Sequence, residues 1–281
     1  MEQSQGRATA LLKRILFREG TKHARLQSLW GRLHTLSIFA MNYGGGGLIE
    51  TSGEEWVLAN VVGPACRDVD SSVVFDVGAN VGDYSLTVRR HVPAAEVYAF
   101  EPSAHVYKEL ARNVSAAGRV RPFNLGLSDE EKTVELYSYT VEGAEASLIS
   151  SIDRRLPTQV LNVEVSASEA VKVQTLDRFC EEQGVGRVDF LKLDVEGHEL
   201  AVLRGAGRML SEGRVSMIQF EFGPANIYSR TYFYDFWTLL SGDYDIYRIV
   251  PKGLASIAYY GEHREIFLTT NYLAIRRSAA R

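Results

Sequence analysis

The segment Val73-Val-Phe-Asp-Val-Gly-Ala-Asn-Val-Gly82 decides the fold of this chain. Its first five residues form a short apolar run that is typical of a buried parallel strand, and the glycines that follow suit a tight turn into a helix. Two more strands are predicted at residues 96–100 and 120–125, each after a stretch with a helical pattern. Alternating strands and helices at this spacing predict an α/β fold with a Rossmann-like, doubly wound and mostly parallel sheet.

The rest of the chain extends this sheet and interrupts it once. Further strands are predicted at residues 189–194, 216–222, 244–250 and 271–275, which makes a seven-stranded sheet. Residues 130–174 break the rhythm with alternating polar and apolar positions, so we expect a β-rich insertion there, with a lid-like loop at residues 143–151. Residues 1–70 are predicted to form an N-terminal helical extension and lead-in, and residues 71–281 the main domain.

Composition limits the classes of function. The chain has 281 residues, 46% of them hydrophobic, and a net charge of −4, which does not favour a nucleic-acid binder. Its two cysteines, Cys66 and Cys180, are too few and too far apart for a disulfide framework or a metal knuckle. The sequence contains neither a run of about 18 apolar residues nor a signal-peptide core, so we expect a cytoplasmic protein without a transmembrane helix.

The first 32 residues depart from this acidic average. Seven basic residues face only two acidic ones, Glu2 and Glu19, and leucines are interleaved among them. This pattern predicts one or two basic amphipathic helices. Such a helix either packs on the core with a solvated basic face or contacts a partner, which would be a membrane surface or a second copy of the chain in a homodimer. The basic residues are Arg7, Lys13, Arg14, Arg18, Lys22, Arg25 and Arg32.

The glycine loop indicates which cofactor the sheet binds. A dinucleotide site needs the spacing Gly-x-Gly-x-x-Gly, whereas this loop lacks the middle glycine, and Asp76 would repel a pyrophosphate. A ligand with an amine and a carboxylate, such as the methionine end of S-adenosylmethionine, fits better. Glu101 then suits the ribose diol, because it follows the second strand. The predicted cofactor-binding residues are Asp76, Gly78, Asn80, Gly82, Glu101, Leu127, Ser128, Asp129 and Asp194.

An acidic cluster follows the fourth strand. Asp194, Glu196 and His198 should lie at the same edge of the sheet as the glycine loop, together with Glu221 at the end of the fifth strand. These four are the predicted catalytic residues. His198 is the candidate general base, and its alternative role is to cap the next helix. Asp194 and Glu221 could also bind Mg²⁺ through oxygen, and the sequence leaves use of a metal open.

Several segments carry a resemblance to one family. They are Asp76–Gly82, Phe100-Glu-Pro102, Asn124–Asp129, Thr175-Leu-Asp177, Asp189–Glu199, Val202–Ala206 and Phe220-Glu221, with Met41–Gly44, Ser52-Gly-Glu54 and Thr270–Leu273 outside them. In these segments the chain resembles class I methyltransferases of the FkbM family. The resemblance implies S-adenosylmethionine-dependent methylation of a hydroxyl on a sugar, glycolipid or polyketide-type natural product. An N- or carboxyl-methyltransferase, an NAD-dependent oxidoreductase and a noncatalytic cofactor-binding protein are the alternatives.

Overall fold

The computed structural model describes residues 24–67, 72–140, 148–151 and 164–277. The chain divides into two compact units, Met1–Tyr43 and Gly44–Arg281. Residues 44–70, which we predicted to belong with the N-terminal extension, are thus part of the same unit as the sheet. Most of the predicted basic helices, in residues 1–23, lie outside the described residues. Among the described residues, no helix is both long enough and apolar enough to cross a membrane.

The first unit, as far as it is described, contains helix α1 (Ala24–Ala40). None of its residues is buried. Leu29, Leu33, Leu36 and Phe39 are between 45% and 65% exposed. An apolar helix face of this kind is an unusual surface for a protein in water.

The second unit contains the strands, which lie in two sheets. In chain order they are β1 (Val73–Val77), β2 (Glu96–Phe100), β3 (Val120–Phe123), β4 (Gly126–Ser128), β5 (Lys132–Thr140), β6 (Leu148–Ser151), β7 (Glu164–Thr175), β8 (Val188–Leu193), β9 (Val215–Phe222), β10 (Tyr244–Val250), β11 (Gly253–Ile257) and β12 (Thr270–Arg276). The larger sheet has the order β11-β10-β12-β9-β8-β1-β2-β3. Strands β3, β2, β1, β8 and β9 run parallel, and β12, β10 and β11 are antiparallel to their neighbours.

This sheet confirms the predicted fold class but has one strand more than the seven expected. Strand β11 pairs antiparallel with β10 at the edge of the sheet. An edge strand that has solvent on one side needs no long apolar run, and the sequence Gly-Leu-Ala-Ser-Ile therefore gave little strand signal.

The helices of the second unit connect and cover the strands. They are α2 (Ile49–Ser52), α3 (Glu54–Val57), α4 (Gly63–Ala65), α5 (Asp83–His91), α6 (Ala104–Val114), α7 (Leu176–Gln183), α8 (Glu199–Arg204), α9 (Gly207–Ser211), α10 (Ala225–Ser229) and α11 (Phe233–Leu240). A π-helical turn, Leu58–Val62, joins α3 to α4.

The predicted β-rich insertion forms most of the second sheet, whose order is β4-β7-β5-β6. Residues 148–151, expected in the lid-like loop, form β6. The rest of the described insertion contributes β5 and most of the long strand β7. Strand β4, from the segment just before the insertion, pairs parallel with the end of β7. Residues 143–147 of the expected lid lie outside the described part of the chain.

Aromatic packing fixes one face of the large sheet beneath α7. The ring of Phe179 on this helix lies edge-on to Phe100 and Phe123 at centroid distances of 4.7 and 5.0 Å. Phe75 on β1 contacts Phe100 at 5.2 Å. Edge-to-face pairs of this kind add about 0.5–1.5 kcal/mol each to the burial of their surface. The cluster therefore holds β1, β2 and β3 in fixed register where the glycine loop begins.

The two sheets meet where α8 ends against β4. A Cβ atom added to Gly205, the residue that follows α8, would overlap the backbone carbonyl of Ser128 on β4. The φ of Gly205 is −70°, a value that any residue adopts, so only space is limiting. The lack of a side chain at this position allows β4 and the insertion to pack on the main sheet.

We predict that Gly205→Ala destabilises the protein by about 1–3 kcal/mol, because it forces this contact apart. Gly207→Ala is the matched control, since nothing lies within 4 Å of a Cβ atom at that position. Its stability should stay unchanged or rise by up to about 1 kcal/mol. Urea unfolding of the two variants tests this, and equal stabilities would contradict the close packing of α8 on β4.

Candidate active site

Two adjoining cavities lie at the carboxyl ends of the parallel strands. The small cavity has a volume of about 160 Å³ and the large cavity about 1410 Å³. Both are lined by Gly78, Asn80, Asp194 and Glu196, which form their common wall. Ligands in open α/β sheets bind at this edge, so the position agrees with that predicted from the sequence.

Gly78 allows the common wall to form. Its φ is +81°, a conformation that L side chains rarely adopt, and a Cβ atom there would overlap the carbonyl oxygen of Asp194. The backbone amide of Gly78 donates to Phe100 O at 3.1 Å, and that of Asp194 donates to Val77 O at 3.0 Å. The ends of β1, β2 and β8 are thereby held in direct contact.

Glu101 is the principal acid of the small cavity. It is 7% exposed, and its carboxylate accepts hydrogen bonds from the backbone amides of Asn80 (3.2 Å) and Ser103 (2.8 Å). Burial raises its pKa to about 7, although these hydrogen bonds act in the opposite direction. Each oxygen keeps acceptor capacity toward the cavity, as the predicted contact with a ribose diol requires.

Leu127 and His198 also line the small cavity. Ser128 Oγ donates to Asp129 Oδ1 at 3.0 Å and lies 2.9 Å from His198 Nε2. Burial lowers the pKa of His198, so its neutral form is favoured. Ser128 and Asp129 do not line either cavity; Ser128 lies beside the imidazole, Asp129 accepts from Ser128, and the contact of both residues with a cofactor stays a prediction. His198 lines only the small cavity, whereas a base for an acceptor in the large cavity would have to face that space.

Two more predicted cofactor residues are not brought to a cavity. Asp76 is fully buried, accepts a hydrogen bond from Ser85 Oγ at 2.6 Å and lies 3.5 Å from Lys192 Nζ. Gly82 precedes α5, and a Cβ atom there would press on Leu110 and Val114. Neither Asp76 nor Gly82 lines a cavity, and their contact with a cofactor stays a prediction. Their roles are to anchor α5 and the buried lysine.

Lys192 is a site residue that sequence reasoning missed. It is 4% exposed, lines the large cavity, and its Nζ lies 3.1 Å from Asp194 Oδ2 and 4.8 Å from the centroid of the Tyr84 ring. Burial alone would lower its pKa, but the charges of Asp194, Asp76 and Glu54 outweigh that effect and raise it. The signal was a lysine between two leucines in a buried strand, since lysine is rarely buried without partners.

Glu54 is the second residue that was missed. It comes from α3 in the lead-in, is 5% exposed and lines the large cavity. Its Oε2 accepts a hydrogen bond from Ser52 Oγ at 2.9 Å and its Oε1 accepts one from Gln219 Nε2 at 2.7 Å. Burial raises its pKa to about 7, against the opposing charge of Lys192. The pattern Ser-Gly-Glu resembles a helix start, which concealed its position in the site.

The remaining acids lie close to the common wall. Burial and the charge of Asp194 raise the pKa of Glu196 to about 8 and that of Glu221 well above its ordinary value. Glu199 is buried and accepts hydrogen bonds from the amides of Val195 (3.0 Å) and Gly197 (3.1 Å), which shapes the loop that carries Asp194 and Glu196. The predicted catalytic acids Asp194, Glu196 and Glu221 therefore come together in the large cavity.

The described residues do not support a metal site at Asp194 and Glu221. In residues 24–67, 72–140, 148–151 and 164–277, no three His, Cys, Asp or Glu side chains are arranged to hold a metal ion. Asp194 Oδ2 is already hydrogen bonded to Lys192, whose positive charge opposes a cation beside it. The donor set does not fit Mg²⁺.

Comparisons with known proteins agree with this architecture. Residues 76–248 match the sequence model of the Methyltransferase FkbM domain. The chain is 32% identical over 165 residues to Methyltransferase sdnD of Sordaria araneosa, covering 50% of this chain and 64% of the relative. It is 25% identical over 160 residues to 2-O-methyltransferase NoeI of Sinorhizobium fredii (56% and 65%). For the Hexuronic acid methyltransferase AglP of Haloferax volcanii the identity is 28% over 155 residues (55% and 58%).

The chain spans somewhat less than two thirds of the length of these relatives. The matched domain nevertheless covers more than half of this chain and includes the common wall, Glu101 and Lys192. The glycine loop and the acidic segment after β8 lie within it, whereas β11 and β12 follow it. The chain belongs to the FkbM methyltransferase domain family.

Proposed function

We propose that this protein is an S-adenosylmethionine-dependent O-methyltransferase that acts on a hydroxyl of a sugar, glycolipid or polyketide-type natural product. The observation that carries the proposal is the pair of cavities that share Gly78, Asn80, Asp194 and Glu196. A group-transfer enzyme must hold donor and acceptor on opposite sides of the transferred group. Two cavities with one common wall supply that arrangement.

In this proposal the adenosine end of the cofactor occupies the small cavity. Glu101 accepts hydrogen bonds from the ribose, and Leu127 packs against the adenine. Asn80 and Asp194 bind the amino-acid end at the common wall. When bound, the cofactor supplies a methyl group on a positively charged sulfur. The carboxylates at the wall favour that cation, and none of these steps needs a metal ion.

The acceptor then lies in the large cavity. Its lining combines apolar and aromatic residues, among them Leu48, Ile227, Tyr228 and Phe267, with the acids and Lys192. Such a mixed surface suits a hydroxyl on a sugar ring or macrocycle. Two relatives, the 2-O-methyltransferase NoeI and the Hexuronic acid methyltransferase AglP, support this class by the activities that their names state. Methylation of an amine or a carboxylate is the alternative.

We predict that S-adenosylhomocysteine binds with a Kd in the micromolar range, about −8 kcal/mol, and that NAD does not bind. Because the Glu101 carboxyl has a pKa of about 7 and its ionised form accepts from the ribose, affinity should fall as the pH falls through 7. Proton competition makes binding about tenfold weaker at pH 6 than at pH 8. Isothermal titration calorimetry measures both quantities.

Glu101→Gln should bind about tenfold more weakly at pH 8 and lose the step near pH 7, since an amide does not ionise. The exposed Glu181 on α7 gives the matched control, and Glu181→Gln should behave as wild type. Binding of NAD, or of neither ligand, would contradict the proposed cofactor.

Methyl transfer itself is tested with isotopically labelled S-adenosylmethionine and a panel of acceptors. The panel contains methyl hexosides, methyl hexuronides, a polyol macrolide, and amines and fatty acids as the alternatives. We expect label on a hydroxyl of at least one glycoside or macrolide, at the same rate with and without a chelator. Label only on amines or carboxylates would replace the O-methyltransferase assignment. The same panel with His198→Ala decides whether that predicted base has a part in turnover.

We also propose that the N-terminal unit contacts an anionic membrane surface. Leu29, Leu33, Leu36 and Phe39 of α1 are exposed, and the first 32 residues are strongly basic although the whole chain has a net charge of −4. Apolar burial and attraction to anionic lipid both favour such contact. A homodimer through the same helix face is the alternative.

The protein should sediment with phosphatidylglycerol vesicles and not with phosphatidylcholine vesicles, and salt should weaken the binding. Replacing Leu33 and Leu36 together with Glu should abolish sedimentation. The control is Leu239→Glu, at an exposed position on α11, which should leave it unchanged. Equal sedimentation of the double variant would contradict membrane contact through α1, and a concentration-dependent dimer that the double variant loses would support the homodimer.

A further inference from the structure

We propose that Glu54, in the lead-in before the sheet, is the general base that takes the proton from the acceptor hydroxyl. This inference rests on the proposed O-methyltransferase function. It assigns the proton transfer to a residue outside the matched domain, which begins at residue 76. It also replaces His198, which the sequence favoured for this role.

Glu54 is placed where it can reach an acceptor. It lines the large cavity together with Lys192, Asp194 and Glu221, so the acceptor space is within its reach. The residue is 5% exposed, and the exposed part belongs to a cavity of about 1410 Å³. A base must come within about 2.6–3.2 Å of the proton-bearing oxygen, and only a cavity-lining group can do so.

Two uncharged hydrogen-bond donors fix the orientation of the Glu54 carboxylate. Tyr84 Oη donates to Gln219 Oε1 at 3.2 Å, so the amide of Gln219 turns its Nε2 toward Glu54 Oε1 at 2.7 Å. Ser52 Oγ donates to Oε2 at 2.9 Å. Both partners are uncharged donors, and each carboxylate oxygen has a second lone pair that they do not use. The group is therefore fixed in orientation and still able to accept a proton.

The other acids of the large cavity are less suited. Asp194 Oδ2 is engaged by the Lys192 ammonium at 3.1 Å. Burial and the charge of Asp194 raise the pKa of Glu196 and of Glu221, so their ionised forms are disfavoured. Glu55 lines the same cavity, but its side chain is 42% exposed and bonded to His91 Nε2 at 2.9 Å, and Asp83 is exposed. His198 faces the small cavity and lies 2.9 Å from Ser128 Oγ. Glu54 remains as the buried, oriented acid that lines the large cavity.

The charges around Glu54 set its working range. Four titratable groups face the same region as Glu54. They are Lys192 on β8, Asp194 directly after that strand, Tyr84 on α5 and Glu221 on β9. Burial raises the pKa of Glu54 to about 7, while Lys192 limits the rise. A base that is half ionised near neutral pH combines an available ionised form with useful proton affinity. These charges agree with the role that the position and the hydrogen bonds of Glu54 indicate.

Two bonds break and two bonds form in the proposed methyl transfer. The acceptor O–H bond breaks and its proton passes to an oxygen of Glu54, while the acceptor oxygen forms the new bond to the methyl carbon. The bond between sulfur and that carbon breaks, and its electron pair stays on sulfur, which becomes neutral. Glu54 ends as a neutral carboxyl and releases the proton to water when the cavity opens to solvent after turnover.

The experiment compares Glu54→Gln, Glu54→Asp and the surface control Glu181→Gln with wild type. Glu54→Gln should reduce turnover on the acceptor that wild type methylates fastest by about 10²- to 10⁴-fold. The kcat of wild type should rise as the pH approaches 7, and Glu54→Gln should lack this rise. Glu54→Asp should retain part of the activity, because it keeps an ionisable carboxyl in a displaced position. Affinity for S-adenosylhomocysteine should stay within about threefold of wild type in all variants, which corresponds to less than 1 kcal/mol.

A second measurement needs no acceptor. In protein labelled with ¹³C at glutamate side-chain carboxyls, the resonances that titrate with a midpoint near pH 7 should include those of Glu54, Glu101 and Glu199, and the Glu54 resonance is the one of these that should be missing from Glu54→Gln. Absence of such a titration for Glu54, or wild-type turnover in Glu54→Gln, would overturn the proposal and leave the methyltransferase function standing. Failure of wild type to bind S-adenosylhomocysteine would instead overturn the proposed function itself, and this inference with it. Loss of that binding in Glu54→Gln alone would assign Glu54 a structural role.

Discussion

The contact between Gly78 and the backbone carbonyl of Asp194 is the constraint on which the site depends. It closes the carboxyl ends of β1 and β8 to a distance that no side chain larger than hydrogen permits. The amide of Asp194 is bonded to the end of β1 and that of Gly78 to the end of β2, so three strand ends form one unit. The common wall of the two cavities consists of this junction and the loop residues beside it. Without the close approach, there would be one open groove instead of two adjoining spaces.

A second constraint is electrostatic. Several carboxyl groups lie near the common wall, and burying them as anions would be strongly unfavourable. Lys192 offsets part of that charge by its position between Asp194 and Asp76. Protonation offsets another part, since burial raises the pKa of Glu54, Glu101 and Glu199 to about 7 and that of Glu196 to about 8. The site therefore changes its charge within the neutral pH range.

Sequence patterns predicted the parts of the fold that repeat and missed those that depend on contacts between distant segments. The parallel strands β1, β2, β8 and β9 are short runs rich in apolar residues, a pattern typical of buried parallel strands. Strand β4 is only three residues long and is defined by its pairing with the end of β7, a contact that no local pattern reveals. Asp76 was predicted at the ligand because it precedes the glycine loop, but its side chain points toward Ser85 and Lys192. Glu54 is separated from Gln219 by 165 residues, and no local pattern reveals that pair.

The two cavities differ in which part of the chain builds them. Every residue that lines the small cavity falls within the matched domain, whereas residues 46–55 and 267–269 of the large cavity lie outside it. On the proposed function, recognition of the methyl donor is encoded in the shared segment, whereas the flanks contribute nine of the residues that line the acceptor cavity. Relatives that align only over that segment can share a donor and differ in what they modify. If the flanks help to select the acceptor, chimeras that exchange them between family members should alter which acceptor is methylated.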